Sequence, residues 1–367
     1  MQTQFDTWSA RIFKTAAEAQ QLNTTARHLL QQDVPMLDLD FFLASISKGW
    51  RPRIVAVYRA GEVVGICYAK ERVISNTVPT GVVYADGALG GFLLANPLHR
   101  QNAIRTALQT LWAAPGTHGL RLRILQGSAE AAGASKVIDS ISAYVRCTPI
   151  QPVLTPDLWR HHAHLALPST YSKFLEQLGY TTRHNFRYYR KRFEATGHRF
   201  VTGLSVADLR AATSELMAKS KFYTEARRVN LEDALRLIGA AKRPLVVGLQ
   251  SRKGEWMSVI GGWYRPGGAV LMYQCNDDLE FNRDSLSTVL RSYLIEQLID
   301  EKQQELVIWT GTRGPLMRYV TYPPALAVSL DLKSHLWRAA RRAAFTFGPH
   351  LPRRWADVVM GYFDTCP

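Results

Sequence analysis

Two stretches of the chain, about 193 positions apart, share one plan. RIVAVYRAGEVVGICYAKERV (residues 53–73) is a pair of β-branched runs joined at Ala60-Gly61. PLVVGLQSRKGEWMSVIGGWYRPGGAVLMYQC (residues 244–275) is another pair, joined around Lys253-Gly254, with a third run after Pro266-Gly267-Gly268. Such runs, broken at glycine, predict antiparallel hairpins. The segments after the two hairpins also match. PLHRQNAIRTALQTLWAA (97–114) has apolar residues at helical spacing, and LRLRILQ (120–126) then predicts a strand. DSLSTVLRSYLIEQLIDEK (284–302) predicts a helix with Asp284 or Ser285 as N-cap, and ELVIWTG (305–311) predicts the strand after it.

The repeated order predicts a duplicated α+β unit. Antiparallel strands that feed one strand–helix–strand crossover make a mixed, mostly antiparallel sheet with helices on both faces. A chain of 367 residues is long for one core, in keeping with two units. The expected division is an N-terminal unit over 1–165, a second over 166–330 and a basic amphipathic tail over 331–367. This is the element order of the GNAT acyltransferase fold, which alone licenses no chemistry.

The net charge is +15. The basic excess is spread along the chain, yet residues 181–199 hold six Arg or Lys against the single acid Glu194. A basic surface speeds encounters with phosphates, nucleic acid or anionic lipid and says nothing of fold. Cys67, Cys147, Cys275 and Cys366 form no CxxC pair, which favours a reduced protein over a disulfide scaffold. The N-terminus has no apolar signal core, and no run of eighteen apolar residues occurs. Those features make the cytoplasm the expected location.

The stretch TTRHNFRYYRKRFEATG (181–197) concentrates the charge. At helical spacing Phe186, Tyr189 and Phe193 share one stripe, which the core would take. Arg183, Arg187, Arg190 and Glu194 form a second, flanked by Lys191 and Arg192. Cations so clustered repel one another unless an anionic partner offsets them, for which bidentate arginines are suited. The alternative is a solvated helix face.

The pattern of Thr182, Arg183, Asn185 and Arg187, with a basic run ending in Glu194 and Gly197, resembles the corresponding helix of the CelD-type (BioF-like) acetyltransferase domain. That family is similar to the GNAT superfamily and, more distantly, to the Fem-type aminoacyl transferases, which have two GNAT units in tandem. The likeness continues through Tyr273, Asp277, the Ser285-Leu286-Ser287 helix start, Trp309-Thr310-Gly311 and Arg318-Tyr319. Two departures matter. The strand Val307-Ile308-Trp309 lacks an acid that many members carry, and the usual Tyr-Lys pair reads Arg318-Tyr319.

The resemblance implies tandem GNAT-like domains; the first, which has Asn96-Pro97-Leu98 at the corresponding helix start and no phosphate loop, is expected to be degenerate. It also implies acyl-CoA (acetyl-CoA) as a co-substrate rather than a tightly bound cofactor, with transfer to a small-molecule or saccharide acceptor in the cleft between the units. The donor's pyrophosphate would lie at a helix start, where unpartnered N–H groups and the helix dipole favour an anion. By order that start is Arg283, Ser285, Leu286 and Ser287. No Gly-rich phosphate loop accompanies it, and an ordinary Asp or Ser cap is the alternative. Tyr273, Asp277 and Tyr319 are the candidates for the reacting end, with Glu215 a further acid, and each of them also has a structural reading. Arg183, Asn185, Arg187 and Arg190 would hold an anionic part of a substrate.

His161, His162 and His164 lack carboxylate or Cys company, so no metal is expected. In the tail, Leu336, Trp337, Ala340, Ala344 and Phe345 could form an apolar helix face, with Arg338, Arg341 and Arg342 opposite. Such a helix either docks on the protein or lies on a membrane surface. Aminoacyl-tRNA-dependent transfer, and a non-catalytic module for nucleic acid or anionic membrane, are the rival readings.

Overall fold

The computed structural model describes residues 7–30, 35–74, 78–87, 91–126, 128, 133–135, 138, 144–149, 162–220, 225–281, 283–309, 315–331, 335–352, 355–356 and 359. The chain forms two compact units, Met1–Trp159 with Pro323–Pro367, and Arg160–Tyr322.

The first unit opens with β1 (Trp8–Phe13) and the short helices α1 (Ala16–Ala19), α2 (Leu22–Thr25), α3 (Arg27–Leu30) and α4 (Leu39–Ala44). Strands β2 (Trp50–Pro52) and β3 (Ile54–Arg59) precede the first predicted hairpin turn, and β4 (Glu62–Cys67) and β5 (Lys70–Ile74) come after it. At its tip Arg59 pairs with Glu62, and both Ala60 and Gly61 have positive φ, as a two-residue turn matched to strand twist requires. Next come β6 (Val78–Asp86), β7 (Leu93–Ala95), α5 (Arg100–Ala113), β8 (Gly119–Leu125) and β9 (Tyr144–Pro149). β4 pairs with β7 and β5 with β6, so the hairpin's strands run from one sheet into a second. α5 is the crossover that sets β8 parallel to β6. Its buried Ala103, Ile104, Ala107, Leu108 and Leu111 pack on one face of the strands, and Leu22, Leu29 and Leu39 pack with Ile54, Ala56 and Ile66 on the other.

The second unit repeats this order more compactly. After β10 (Ala163–Ala166) come α6 (Tyr171–Gln177), α7 (Tyr180–Ala195) and β11 (Arg199–Val201), then α8 (Val206–Met217) and α9 (Glu225–Ala240). β12 (Pro244–Gln250), β13 (Trp256–Arg265) and β14 (Gly268–Asn276) form the predicted meander. α10 (Leu286–Asp300) then crosses over to β15 (Glu305–Ile308), which runs parallel to β14. The sheet order is β10-β15-β14-β13-β12-β11. A bulge between Gly261 and Gly262 bends the meander, and a Cβ on Gly262 would stand 1.8 Å from the Val270 carbonyl oxygen, so only glycine fits. α10 buries Leu286, Val289, Leu290, Leu294, Ile295, Leu298 and Ile299. Phe174 of α6 and Phe186 and Phe193 of α7 join the same core.

The chain then returns. β16 (Ala325–Asp331) inserts between β8 and β9 of the first unit, with Ser329 opposite Arg121, and the buried Arg121 guanidinium donates to Asp331 at 2.8 Å. The expected limit of the second unit at 330 therefore runs past this exchange. The tail helix α11 (His335–Phe347) forms as the spacing suggests, with Ala344 buried and Ala340 exposed; the side chains of Leu336, Trp337, Arg338, Arg341 and Phe345 lie outside the described residues. Among the described residues no helix is long and apolar enough to cross a membrane.

The fold is thus α+β: among the described residues the first unit holds an antiparallel four-stranded sheet and a mixed six-stranded one, and the second unit one mixed six-stranded sheet, all flanked by helices.

Candidate functional site

The helix that carries the basic stretch, α7, is positioned at both ends. The Tyr319 hydroxyl accepts the Gly179 N–H at 2.7 Å, just before its first turn. At the other end Arg192 pairs with Asp284 at 3.0 Å, two residues before α10. Phe186 and Phe193 are buried and Tyr189 packs half-buried beside them, so the apolar stripe faces the core as the spacing predicts.

The cationic stripe is divided. Arg190 is bound within the fold, 2.6 Å from Glu296 and 3.1 Å from Glu194, with its guanidinium over the Tyr293 ring at 4.0 Å. Burial opposes its charge, yet the hydrogen bonds to Glu296 and Glu194 outweigh it and raise the pKa. The Tyr293 hydroxyl donates to Glu194 at 2.8 Å, and burial and that carboxylate push the phenol up. Arg190 is therefore a clamp between α7 and α10. Arg187 is exposed and Arg183 and Asn185 half-exposed, and among the described residues no side chain is placed as a partner for any of the three.

The second element is the start of α10. Ser285 takes the N-cap position in the left-handed region (φ 49°), and its hydroxyl donates to Thr288 Oγ1 at 2.9 Å instead of accepting a first-turn N–H. The expected Asp or Ser side-chain cap does not form, and among the described residues none replaces it. Leu286 is buried, Ser287 half-buried and Arg283 exposed.

Beside this turn lies the end of β14. β15 accompanies β14 from Gly268 to Leu271, and the Trp309 N–H bonds the Leu271 carbonyl; Thr310 and Gly311 lie outside the described residues. The end of β14 carries half-buried Met272, Tyr273, Gln274 and Asn276. Asn276 organises a polar row: it accepts from Ser258 Oγ at 2.6 Å and from Gln274 at 3.2 Å, and donates to Ser287 Oγ at 2.9 Å. One turn along α10, Arg291 Nε donates to Gln274 at 3.0 Å, and burial lowers the guanidinium's pKa.

The three candidates for the reacting end have separate supports. Tyr273 stands near the end of β14, opposite Gly261. Asp277 is wholly buried, accepting the N–H groups of Leu279 and Glu280 at 3.2 and 2.9 Å, with Lys219 3.3 Å from its other oxygen. Lys219 also lies 3.9 Å from Glu215, so it links those two candidate acids. Burial alone would lower the Lys219 pKa, but the hydrogen bond and charge of Asp277 raise it. Asp277 thus holds the loop after β14, and Tyr319 holds the start of α7. His162 packs against Trp309 with the rings tilted by 44°, and His164 bonds Glu305 at 2.6 Å, while His161 lies outside the described residues.

Ser258, Gln274, Asn276, Lys219 and Arg291 are absent from the sequence-level candidates. Their signal is present but weak: Ser258 and Arg291 are polar residues inside otherwise apolar runs, and Ser258 lies opposite Asn276 in the strand register.

No family model matches the chain, and no curated protein does. Among solved structures the fold is similar to FemX, with a TM-score of 0.60 at 10% identity, over 90% of this chain and 99% of that one. It is similar also to the C-terminal domain of a protein described as a lysylphosphatidylglycerol synthetase from Agrobacterium fabrum (0.54, 9%, 91% and 97%). A third is a conserved protein of unknown function from Bacteroides thetaiotaomicron (0.53, 11%, 88% and 100%). At these identities the likeness is one of fold.

Proposed function

We propose that the chain is an acyltransferase, its second unit moving an acyl group from acyl-CoA to an amine or hydroxyl of a small-molecule or saccharide acceptor. The observation that carries this reading is the first turn of α10, which among the described residues has no side-chain cap. An uncapped helix start offers N–H donors and a positive dipole end to a pyrophosphate, with exposed Arg283 as a further partner. The polar row from Ser258 to Arg291 fixes Ser287 at that turn. In the first unit α5 also starts without a side-chain cap, the Asn96 side chain accepting the Leu98 N–H at 3.0 Å in the short turn before it; the polar row that fixes Ser287 is what favours the second unit as the donor site and the first as the degenerate one.

In the reaction the acceptor's nitrogen or oxygen bonds to the thioester carbonyl carbon, the carbon–sulfur bond breaks, and the acceptor's proton ends on the leaving thiolate. Tyr273, near the end of β14, is the group we assign to that last transfer. Asp277 and Tyr319 act as positioning residues through the loop and helix start they hold.

The second reading keeps the fold and changes the donor to an aminoacyl-tRNA, as the Fem-type resemblance implies; the exposed cations of α7 favour it. Titration calorimetry with acetyl-CoA tests the first. Wild type is expected to bind, and Ser287→Glu, which sets a negative charge at the phosphate site, to bind at least about tenfold more weakly. Wild type that fails to bind acetyl-CoA overturns the acyl-CoA reading.

A further inference from the structure

The segment that follows β16 carries apolar side chains on its outside. In α11 Ala344 is buried, and so is Gly348 in the turn after it (Gly348–His350), so one side of the segment faces protein. The other side does not. Ala339, Ala343 and Phe347 recur every four residues along the helix, and all three are exposed. Leu351 and Trp355 continue the series beyond it, with Phe347 and Trp355 each 64% exposed and Leu351 37%. Backbone bonds hold this path: the Leu351 N–H meets the Gly348 carbonyl at 3.1 Å, and the Trp355 N–H meets the Pro352 carbonyl at 2.8 Å.

The same segment is basic throughout. Residues 335–356 hold five Arg and two His and no Asp or Glu. Arg342 and His350 are exposed, and among the described residues no carboxylate is placed against Arg342. Exposed apolar surface and unbalanced positive charge together select the partner. A second copy of this segment would bring like charges together, which opposes self-association. A nucleic acid would use the cations and the rings but gains nothing from Ala339, Ala343 and Leu351. An anionic bilayer uses all of them: Phe, Leu and Trp enter the boundary between headgroups and acyl chains, where Trp is favoured, while Arg meets the lipid phosphates.

We propose that the outer side of α11 and of the turn after it is a contact for the surface of an anionic membrane. Phe347, Leu351 and Trp355 enter the interface, and Arg342 holds its headgroups. The proposal goes beyond the transfer reaction and stands for either donor.

The test is co-sedimentation of the full chain with vesicles of phosphatidylcholine alone and of phosphatidylcholine with an equal part of phosphatidylglycerol. Wild type is expected to bind the anionic vesicles at least about tenfold more tightly than the neutral ones, and less tightly as salt rises. Phe347→Ala/Trp355→Ala should bind the anionic vesicles at least about tenfold more weakly, while Phe347→Trp/Trp355→Phe, which keeps the apolar area, should retain binding. Arg342→Gln should weaken it about fivefold, and keeps the test decisive if the double alanine variant does not fold. Acetyl-CoA affinity and melting temperature should be unchanged in these variants, so failure of the donor site and failure of this contact are told apart. Wild type that ignores anionic vesicles overturns the proposal, as does binding that both the double alanine variant and Arg342→Gln leave unchanged. Capture of an oligoadenylate hexamer without capture by vesicles, or a dimer in sedimentation velocity that the double alanine variant dissolves and vesicles do not, overturns it too.

Discussion

Arg187 and Arg190 are three positions apart on one helix and have different fates. Helical spacing places both on a cationic stripe, but what they meet is decided by Tyr293 and Glu296, about a hundred residues further along the chain. The sequence therefore makes the stripe legible and leaves its division illegible. Arg190→Ala should cost the second unit about 2 kcal/mol, from the lost charged hydrogen bonds and the ring contact, whereas Arg187→Ala should stay within about 0.5 kcal/mol of wild type. Urea unfolding distinguishes them. A buried carboxylate gives the pH counterpart. Burial would raise the Glu71 pKa, but Arg51 and Arg53, at 2.6 and 2.7 Å, outweigh it and hold it below the usual range. A lowered folded pKa stabilises above the unfolded value and is lost as pH falls through the folded one, so the first unit should weaken below about pH 4.5. Glu71→Gln should be less stable at neutral pH and should flatten that acid limb in thermal melts.

At the scale of elements, hairpins, crossover helices and their order are legible, because strand and helix periods and glycine turns are local properties. Caps are less so. Ser285 reads as an N-cap in the sequence and occupies that position, but its left-handed backbone turns the hydroxyl to Thr288. Ser285→Gly should relieve that conformation and stabilise the unit by about 0.5–1 kcal/mol, visible as a raised melting temperature. Tyr319 sits near the end of the family-like pattern, and nothing local announces that it reaches Gly179 across 140 positions. Tyr319→Phe should cost about 1 kcal/mol by freeing that N–H.

At the scale of the molecule, the duplication is readable because it repeats in order, while the return of β16 to the first unit is not. Its partners lie some two hundred residues upstream, and an alternating apolar strand carries no label for its sheet. A chain ending at Tyr322 should expose the edge of β8 and leave Arg121 buried without Asp331. The first unit should then unfold or aggregate, while calorimetry should still detect a cooperative transition of the second. The donor site proposed at the uncapped turn of α10 is a matter of tertiary structure that only its residues' order foreshadows. Amide hydrogen exchange with and without saturating acetyl-CoA tests it most directly. Bound acetyl-CoA should slow exchange in the first turn of α10 and along 272–276 of β14, with the start of α5 unchanged. Protection at α5 instead, or none at α10, would contradict a donor site in the second unit.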